Sequence, residues 1–188
     1  MKTDMILAGV GGQGVLSIAA VIALSAVKAG FSARQSEVHG MSQRGGAVLS
    51  HLRLSDGAIH CDLVPRGRAD LIVSMEPLEA LRYIGWLSSD GALVSSSDPI
   101  VNIGDYPPLE TALNAVKSFS KARLVNADAL AKEAGSARAV NMVMVGAASP
   151  FLPLEPETLE SAIAELFAKR DPAINIEAFR LGRRGADA

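Results

Sequence analysis

A chain of 188 residues with 18 basic and 20 acidic side chains carries a formal charge of −2, and it has no basic run interleaved with aromatics, which argues against nucleic acid as a partner. Apolar residues make up 49% of it and aromatics only 4%, so a real core is affordable and must be built from Ala, Val, Leu and Ile. The single cysteine, Cys61, excludes an intrachain disulfide and any cluster held by several local thiolates, and the three histidines, His39, His51 and His60, do not form a helical zinc pair.

The length suits a single domain spanning residues 1–188. Residues 5–27 lack charge, but glycines crowd their first half. Asp4 also stands where a signal peptide wants positive charge. No membrane span is expected, and a cytoplasmic location is the default.

The first predicted strand is the apolar run Met5, Ile6, Leu7, Ala8. Gly9-Val10-Gly11-Gly12-Gln13-Gly14 follows it and opens a long apolar segment, which is the grammar of strand, tight turn and helix. Glycine permits the backbone angles of such a turn and lets a phosphate or another backbone come close. The helix behind it directs unpaired N–H groups at that spot, which favours an anion. A turn that only packs helix against sheet fits the same pattern. In the helix, Leu16, Ala19, Ala20, Ala23, Leu24 and Val27 form one expected core face; Val15, Ile18, Ile22 and Ala26 are apolar on other sides.

Residues 31–38 predict a second strand. It carries Glu37 near its end, where a dinucleotide-binding fold holds a ribose hydroxyl. The polar, glycine-rich segment 39–46 comes next. Residues 47–54 then predict a half-exposed strand, Ser55-Asp56-Gly57 a hairpin turn, and 58–64 an antiparallel return. Residues 70–75 predict a buried strand, and Pro77 begins a helix over 78–87. Short strands are expected at 91–94 and 124–125, with helices at 109–119 and 127–134. The remainder is helical: 140–148, a clear amphipathic helix from Pro156, and a last helix capped by Asn175 that ends near Gly182. The alternation predicts an α/β fold, Rossmann-like, with a mostly parallel sheet, helices on both faces, an inserted β-hairpin and a helical C-terminal part.

The candidate ligand-binding residues are Gly9, Gly11, Gly12, Gln13, Gly14, Glu37, His39, Ser42, Gln43 and Arg44. Arg44 could pair with a carboxylate or phosphate, or could bridge a subunit interface. His39 has the bland alternative of a loop histidine bonded to backbone. Ser42 and Gln43 could simply cap a turn. His51 and His60 are read as structural. No nucleophile–base pair stands at readable spacing, so no catalytic residue and no metal ligand is assigned.

The motif at residues 9–16 together with Glu37-Val38-His39-Gly40-Met41-Ser42-Gln43-Arg44-Gly45-Gly46 resembles the gamma domain of the 2-oxoacid:ferredoxin oxidoreductases. The segment 39–46 resembles the small subunits of the indolepyruvate branch in particular. The likeness extends to residues 141–147 and 175–182. It implies oxidative decarboxylation of a 2-oxoacid to its acyl-CoA in a heteromeric complex. Thiamine diphosphate and iron–sulfur clusters would belong to a large alpha subunit, coenzyme A would be co-substrate, and electrons would leave to ferredoxin. This chain would bind no cofactor firmly and would be inactive alone. Three other readings remain open: a gamma subunit for pyruvate, 2-oxoisovalerate or 2-oxoglutarate, a stand-alone dinucleotide-dependent oxidoreductase, and a non-catalytic interaction module.

Overall fold

The computed structural model describes residues 1–39 and 45–185. Its centre is strand β1 (Lys2–Val10), buried along all but its first residue. A strand covered on both faces reads as a continuous apolar run rather than an alternating one. Strands β2 (Ser32–His39), β3 (Ala47–Ser55), β4 (Ala69–Ser74), β5 (Leu87–Ser96) and β6 (Ala122–Val125) complete a six-stranded sheet of order β2-β3-β1-β4-β5-β6. The pairs β1–β4, β4–β5 and β5–β6 are parallel; β3 runs antiparallel to both β1 and β2. The α/β, mostly parallel architecture expected from the sequence is therefore present.

Alternation along the strands divides the core. Met5, Leu7, Leu71, Val73 and Val94 face one layer, built from α1 (Val15–Lys28), α4 (Ala127–Glu133), α5 (Val140–Ala148), α6 (Pro156–Leu166) and α7 (Pro172–Arg184). Ile6, Ile72 and Leu93 face a thinner layer containing α2 (Pro77–Arg82) and α3 (Leu109–Lys117). The C-terminal third thus thickens one face of the sheet.

The inserted hairpin is present but is made by different strands. Residues 58–64 form no strand; β3 instead pairs with β2 on one side and β1 on the other. With both edges of β3 taken, no ladder is open to a returning strand. The segment is satisfied by side chains of β3 instead. Arg53 donates to the carbonyls of Cys61 at 2.8 Å and Leu63 at 3.1 Å, and Val64 N–H donates to His51 Nδ1 at 3.2 Å.

The buried face of α1 also differs from the expected one. Val15, Ile18, Ala19, Ile22 and Ala26 are buried, whereas Leu16 and Val27 are more than half exposed. Both stripes are apolar, so composition could not choose between them. The second predicted helix is shorter than expected: α2 ends at Arg82, a 3-10 turn spans Ile84–Trp86, and β5 begins at Leu87. Asn175 is not a cap. It lies inside α7, which starts at Pro172, and its Nδ2 donates back to the carbonyls of Arg170 and Asp171. Helix α7 ends at Arg184, two residues past Gly182 and close to the expected end.

Gly182 has another task. A Cβ there would lie 2.0 Å from the Val143 carbonyl oxygen, and one on Gly146 would lie 2.0 Å from that of Phe179. Helices α5 and α7 cross backbone to backbone at this pair. Gly182→Ala gains roughly 1 kcal/mol of helix propensity. The clash is with backbone, however, and cannot be relieved by a rotamer, so the net loss is expected to reach about 2 kcal/mol, within the range of overpacked cores. Equilibrium urea unfolding measures it.

Burial, assisted by the neighbouring Arg53 charge, holds the His51 imidazole below its ordinary pKa. Its Nδ1 accepts a hydrogen bond, which requires the neutral ring. The unfolded chain therefore takes up this proton before the folded one does. The resulting stability is complete above about pH 6.5 and is lost as pH falls from there through the folded value. His51→Asn should flatten the fall in urea midpoint between about pH 7 and pH 5 relative to the parent chain.

Candidate anion-binding site at the glycine turn

The turn between β1 and α1 lies at the C-terminal edge of the parallel strands, as the motif predicted. Helix α1 leaves β1 toward one face of the sheet, and α2 leaves the adjacent β4 toward the other. Where neighbouring helices depart to opposite faces, an open α/β sheet forms a crevice.

Each glycine of the turn answers to a different constraint. Gly9 sits where a Cβ would be 2.9 Å from Val15 and 3.0 Å from Met75, so it permits close packing. Gly12 has φ 102° with open space around it, so only its backbone angle demands glycine. Gly14 combines φ 83° with contact to the Asn141 amide, and it caps α1 without any side-chain hydrogen bond. The Val15 and Leu16 N–H groups at the start of α1 have no intrahelical acceptor and carry the positive end of the helix dipole, whereas Ser17 N–H donates to Gly14 O at 2.9 Å.

Not every donor in the turn is available. Gly11 N–H donates to Gly46 O at 2.8 Å, Gly45 N–H returns a bond to Gly11 O at 3.3 Å, and Gln13 N–H donates to Val10 O at 3.1 Å. The Gln13 side chain is committed as well. Its Oε1 accepts from Val10 N–H at 2.7 Å and its Nε2 donates to Met75 O at 3.0 Å. Gln13 thereby bridges the ends of β1 and β4 and fills the crevice between them.

What stays open is a cleft of about 310 Å³ on the other side of the turn. It is lined by Gly11, Gly12 and Gly14, by Leu16 and Ser17 of α1, and by Glu37 and Val48 of the hairpin. Gln35 Nε2 donates to Glu37 Oε2 at 3.1 Å and to Ser50 Oγ at 3.2 Å, which fixes the polar wall. Glu37 therefore lines the same cleft as the glycines, but from the edge strand β2 rather than from a central strand. In a dinucleotide-binding domain the acid sits on the parallel strand beside the first one. Here the antiparallel β3 intervenes. The side chain of His39, and Ser42, Gln43 and Arg44 entirely, lie outside the described residues.

Three side chains that the sequence reading did not single out shape the same edge. Glu76 caps α2 by accepting from Glu79 N–H at 2.8 Å, and its other oxygen accepts from the Tyr106 hydroxyl. Burial and the bond to Glu76 raise the Tyr106 pKa well above the ordinary phenol value, so it stays a donor. Asn102 Nδ2 donates to Gly45 O at 2.7 Å. The loop between β5 and α3 is thus strapped across the edge, from the end of β4 to the glycines beside Gly11. The signals were weak: an acid directly before a helix-opening proline marks Glu76, whereas nothing local marks Asn102 or Tyr106.

Fold and cleft together define a Rossmann-like α/β domain that offers backbone donors, and among the described residues no nucleophile–base constellation adjoins them. The chain belongs to the pyruvate ferredoxin/flavodoxin oxidoreductase family, whose model matches residues 4–185. It is 37% identical over 193 residues to the indolepyruvate oxidoreductase subunit IorB of Pyrococcus horikoshii, covering 97% of this chain and 95% of that protein. The corresponding subunit of Methanothermobacter thermautotrophicus is 35% identical over 97% of this chain and 96% of its own length. Among solved structures, the keto/oxoacid ferredoxin oxidoreductase gamma subunit of Geobacter sulfurreducens superposes with a TM-score of 0.71 at 25% identity, covering 98% of each chain. The 2-oxoglutarate:ferredoxin oxidoreductase of Magnetococcus marinus, solved with 2-oxoglutarate, coenzyme A and succinyl-CoA bound, shares the fold at TM-score 0.77 and 23% identity. This chain spans 99% of its own length but only 31% of that longer chain.

If Gln13 serves the fold, Gln13→Ala should lower stability by about 1–3 kcal/mol, because it strands the Val10 N–H and the Met75 carbonyl. If it serves a ligand instead, the urea midpoint should not move.

Proposed function

We infer that this chain is the small subunit of an indolepyruvate:ferredoxin oxidoreductase, which converts an aryl 2-oxoacid to its acyl-CoA by oxidative decarboxylation. The supporting observation is full-length similarity, at 33–37% identity, to four archaeal proteins that carry the indolepyruvate oxidoreductase subunit name. The 2-oxoglutarate synthase subunits KorC match at 26–28%, which favours the indolepyruvate branch over the 2-oxoglutarate one. A stand-alone dinucleotide enzyme is disfavoured by the strand that separates Glu37 from β1 and by the Gln13 side chain in the crevice.

In this reading a large subunit supplies thiamine diphosphate and the iron–sulfur clusters, and ferredoxin removes the electrons. The chemistry takes place there. No helix among the described residues is long and apolar enough to cross a membrane, consistent with a cytoplasmic enzyme. This chain contributes the glycine cleft. The backbone N–H groups at Gly12, Gly14 and the first turn of α1 receive an anionic group of coenzyme A or of the oxoacid, and the α1 dipole favours its charge. Arg44, with Ser42, Gln43 and His39, completes the polar set by residue chemistry. A guanidinium suits a carboxylate or phosphate better than an ammonium does.

Pure chain given indolepyruvate, thiamine diphosphate, coenzyme A and an electron acceptor should show no turnover; adding the large subunit should restore it. Turnover by the isolated chain would refute the division of labour. Leu16→Asp tests the cleft. An acid in the first turn of a helix is tolerated by its dipole and should leave the thermal midpoint unchanged. Facing an anion, it should raise KM for coenzyme A or the oxoacid by about tenfold, equivalent to ~1.4 kcal/mol. Gel filtration with the large subunit separates this from an assembly defect.

A further inference from the structure

On the far side of the first turn of α1 lies a second, larger concavity of about 600 Å³, and the reaction described above makes no use of it. Ser17 lines both it and the glycine cleft. Its other walls come from the 3-10 turn before α5 and from the start of α7, which bring Arg138 and Arg170 to one groove. Neither guanidinium forms an ion pair with another described residue. Between them stands Asn141, only 8% exposed. Its Oδ1 accepts from Met142 N–H at 3.0 Å, whereas its Nδ2 lies against Gly14 with no acceptor among the described residues. A nearly buried amide that lines a groove with two uncommitted cations, its donor end unpartnered among the described residues, is suited to take a ligand oxygen.

The remaining lining narrows the ligand class. Phe167 offers an aromatic surface shared with an adjoining cleft, and Asp171 places a carboxylate at the groove wall. A carboxylate opposes a bare polyanion but accepts well from sugar hydroxyls. We propose that this groove binds the phosphate-bearing end of a nucleotide. Arg138 and Arg170 hold the phosphate, Asn141 Nδ2 hydrogen-bonds one of its oxygens, Asp171 takes a ribose hydroxyl and Phe167 lies against the base. The proposal concerns this chain's own groove and does not depend on which oxoacid the complex uses.

Titration calorimetry of the full chain with ADP, pyrophosphate and adenosine tests it. ADP should bind more tightly than pyrophosphate, adenosine should bind far more weakly than either, and the ADP affinity should fall with added salt. Arg138→Ala/Arg170→Ala, two exposed positions, should retain the parent's circular dichroism and lose ADP affinity by about tenfold or more. Asn141→Asp, which sets a carboxylate against the phosphate, should lose at least as much. ADP affinity unchanged in the double arginine variant would overturn the proposal, as would no binding of ADP by the parent chain. Equal affinity for ADP and pyrophosphate would overturn the nucleotide assignment. Because these measurements use the chain alone, failure of the complex to assemble or turn over would count against the indolepyruvate function and leave this result standing.

Discussion

The ion pair between Asp4 and Arg53 holds the sheet in register, and the rest of the structure depends on that register. Asp4 is fully buried on β1, and Arg53 of β3 grips it in a two-pronged contact at 2.8 and 3.1 Å. Lys2 adds a third contact at 2.7 Å, and the Asp4 N–H donates to Asp70 at the start of β4. The two residues of the pair lie directly opposite each other in the antiparallel ladder. A slip of one residue would turn Val48, Leu52 and Leu54 away from the core. It would also strand a buried carboxylate, and removing one partner of such a pair costs about 3–5 kcal/mol. Arg53 then spends its remaining N–H group on residues 61 and 63, so the same side chain fixes the irregular segment after β3.

At the other end of β1, order is kept by side-chain hydrogen bonds rather than by an ion pair between strands. Gln13 ties the glycine turn to the end of β4, and Asn102 and Tyr106 tie the β5–α3 loop over it. The charged clamp lies at the bottom of the sheet, whereas the donors left open beside the turn among the described residues are backbone groups at the start of a helix, which suit an anion.

The two concavities flanking α1 follow from the same helix. Its first turn is wrapped by the glycines, and Gly14 is held in the left-handed region against Asn141. Asn141 is in turn placed by α5, whose close approach to α7 requires Gly146 and Gly182. Packing in the C-terminal third is thereby coupled to the shape of the turn at the N-terminus. The exposed Leu16 and Val38 stand near the same end of the molecule, so the surface around the glycine cleft is more apolar than a solvated edge requires.

The sequence by itself determined the glycine turn, its place at the end of a central strand and the α/β alternation, because these are local: periodicity, turn angles and helix-opening prolines act within a few residues. It also carried the family, through two motifs whose chemistry is written contiguously. It could not choose which apolar stripe of α1 is buried, since both stripes are apolar. It misassigned residues 58–64 because nothing local reveals that both edges of β3 are already paired. The tertiary structure alone decided that the Gln13 side chain bonds to Val10 and Met75, that Glu37 reaches the cleft from an edge strand, and that Asn141, Arg138 and Arg170 share a groove. Those facts depend on contacts between segments far apart in the chain, and a hydrogen bond from residue 13 to residue 75 leaves no trace in the spacing of either.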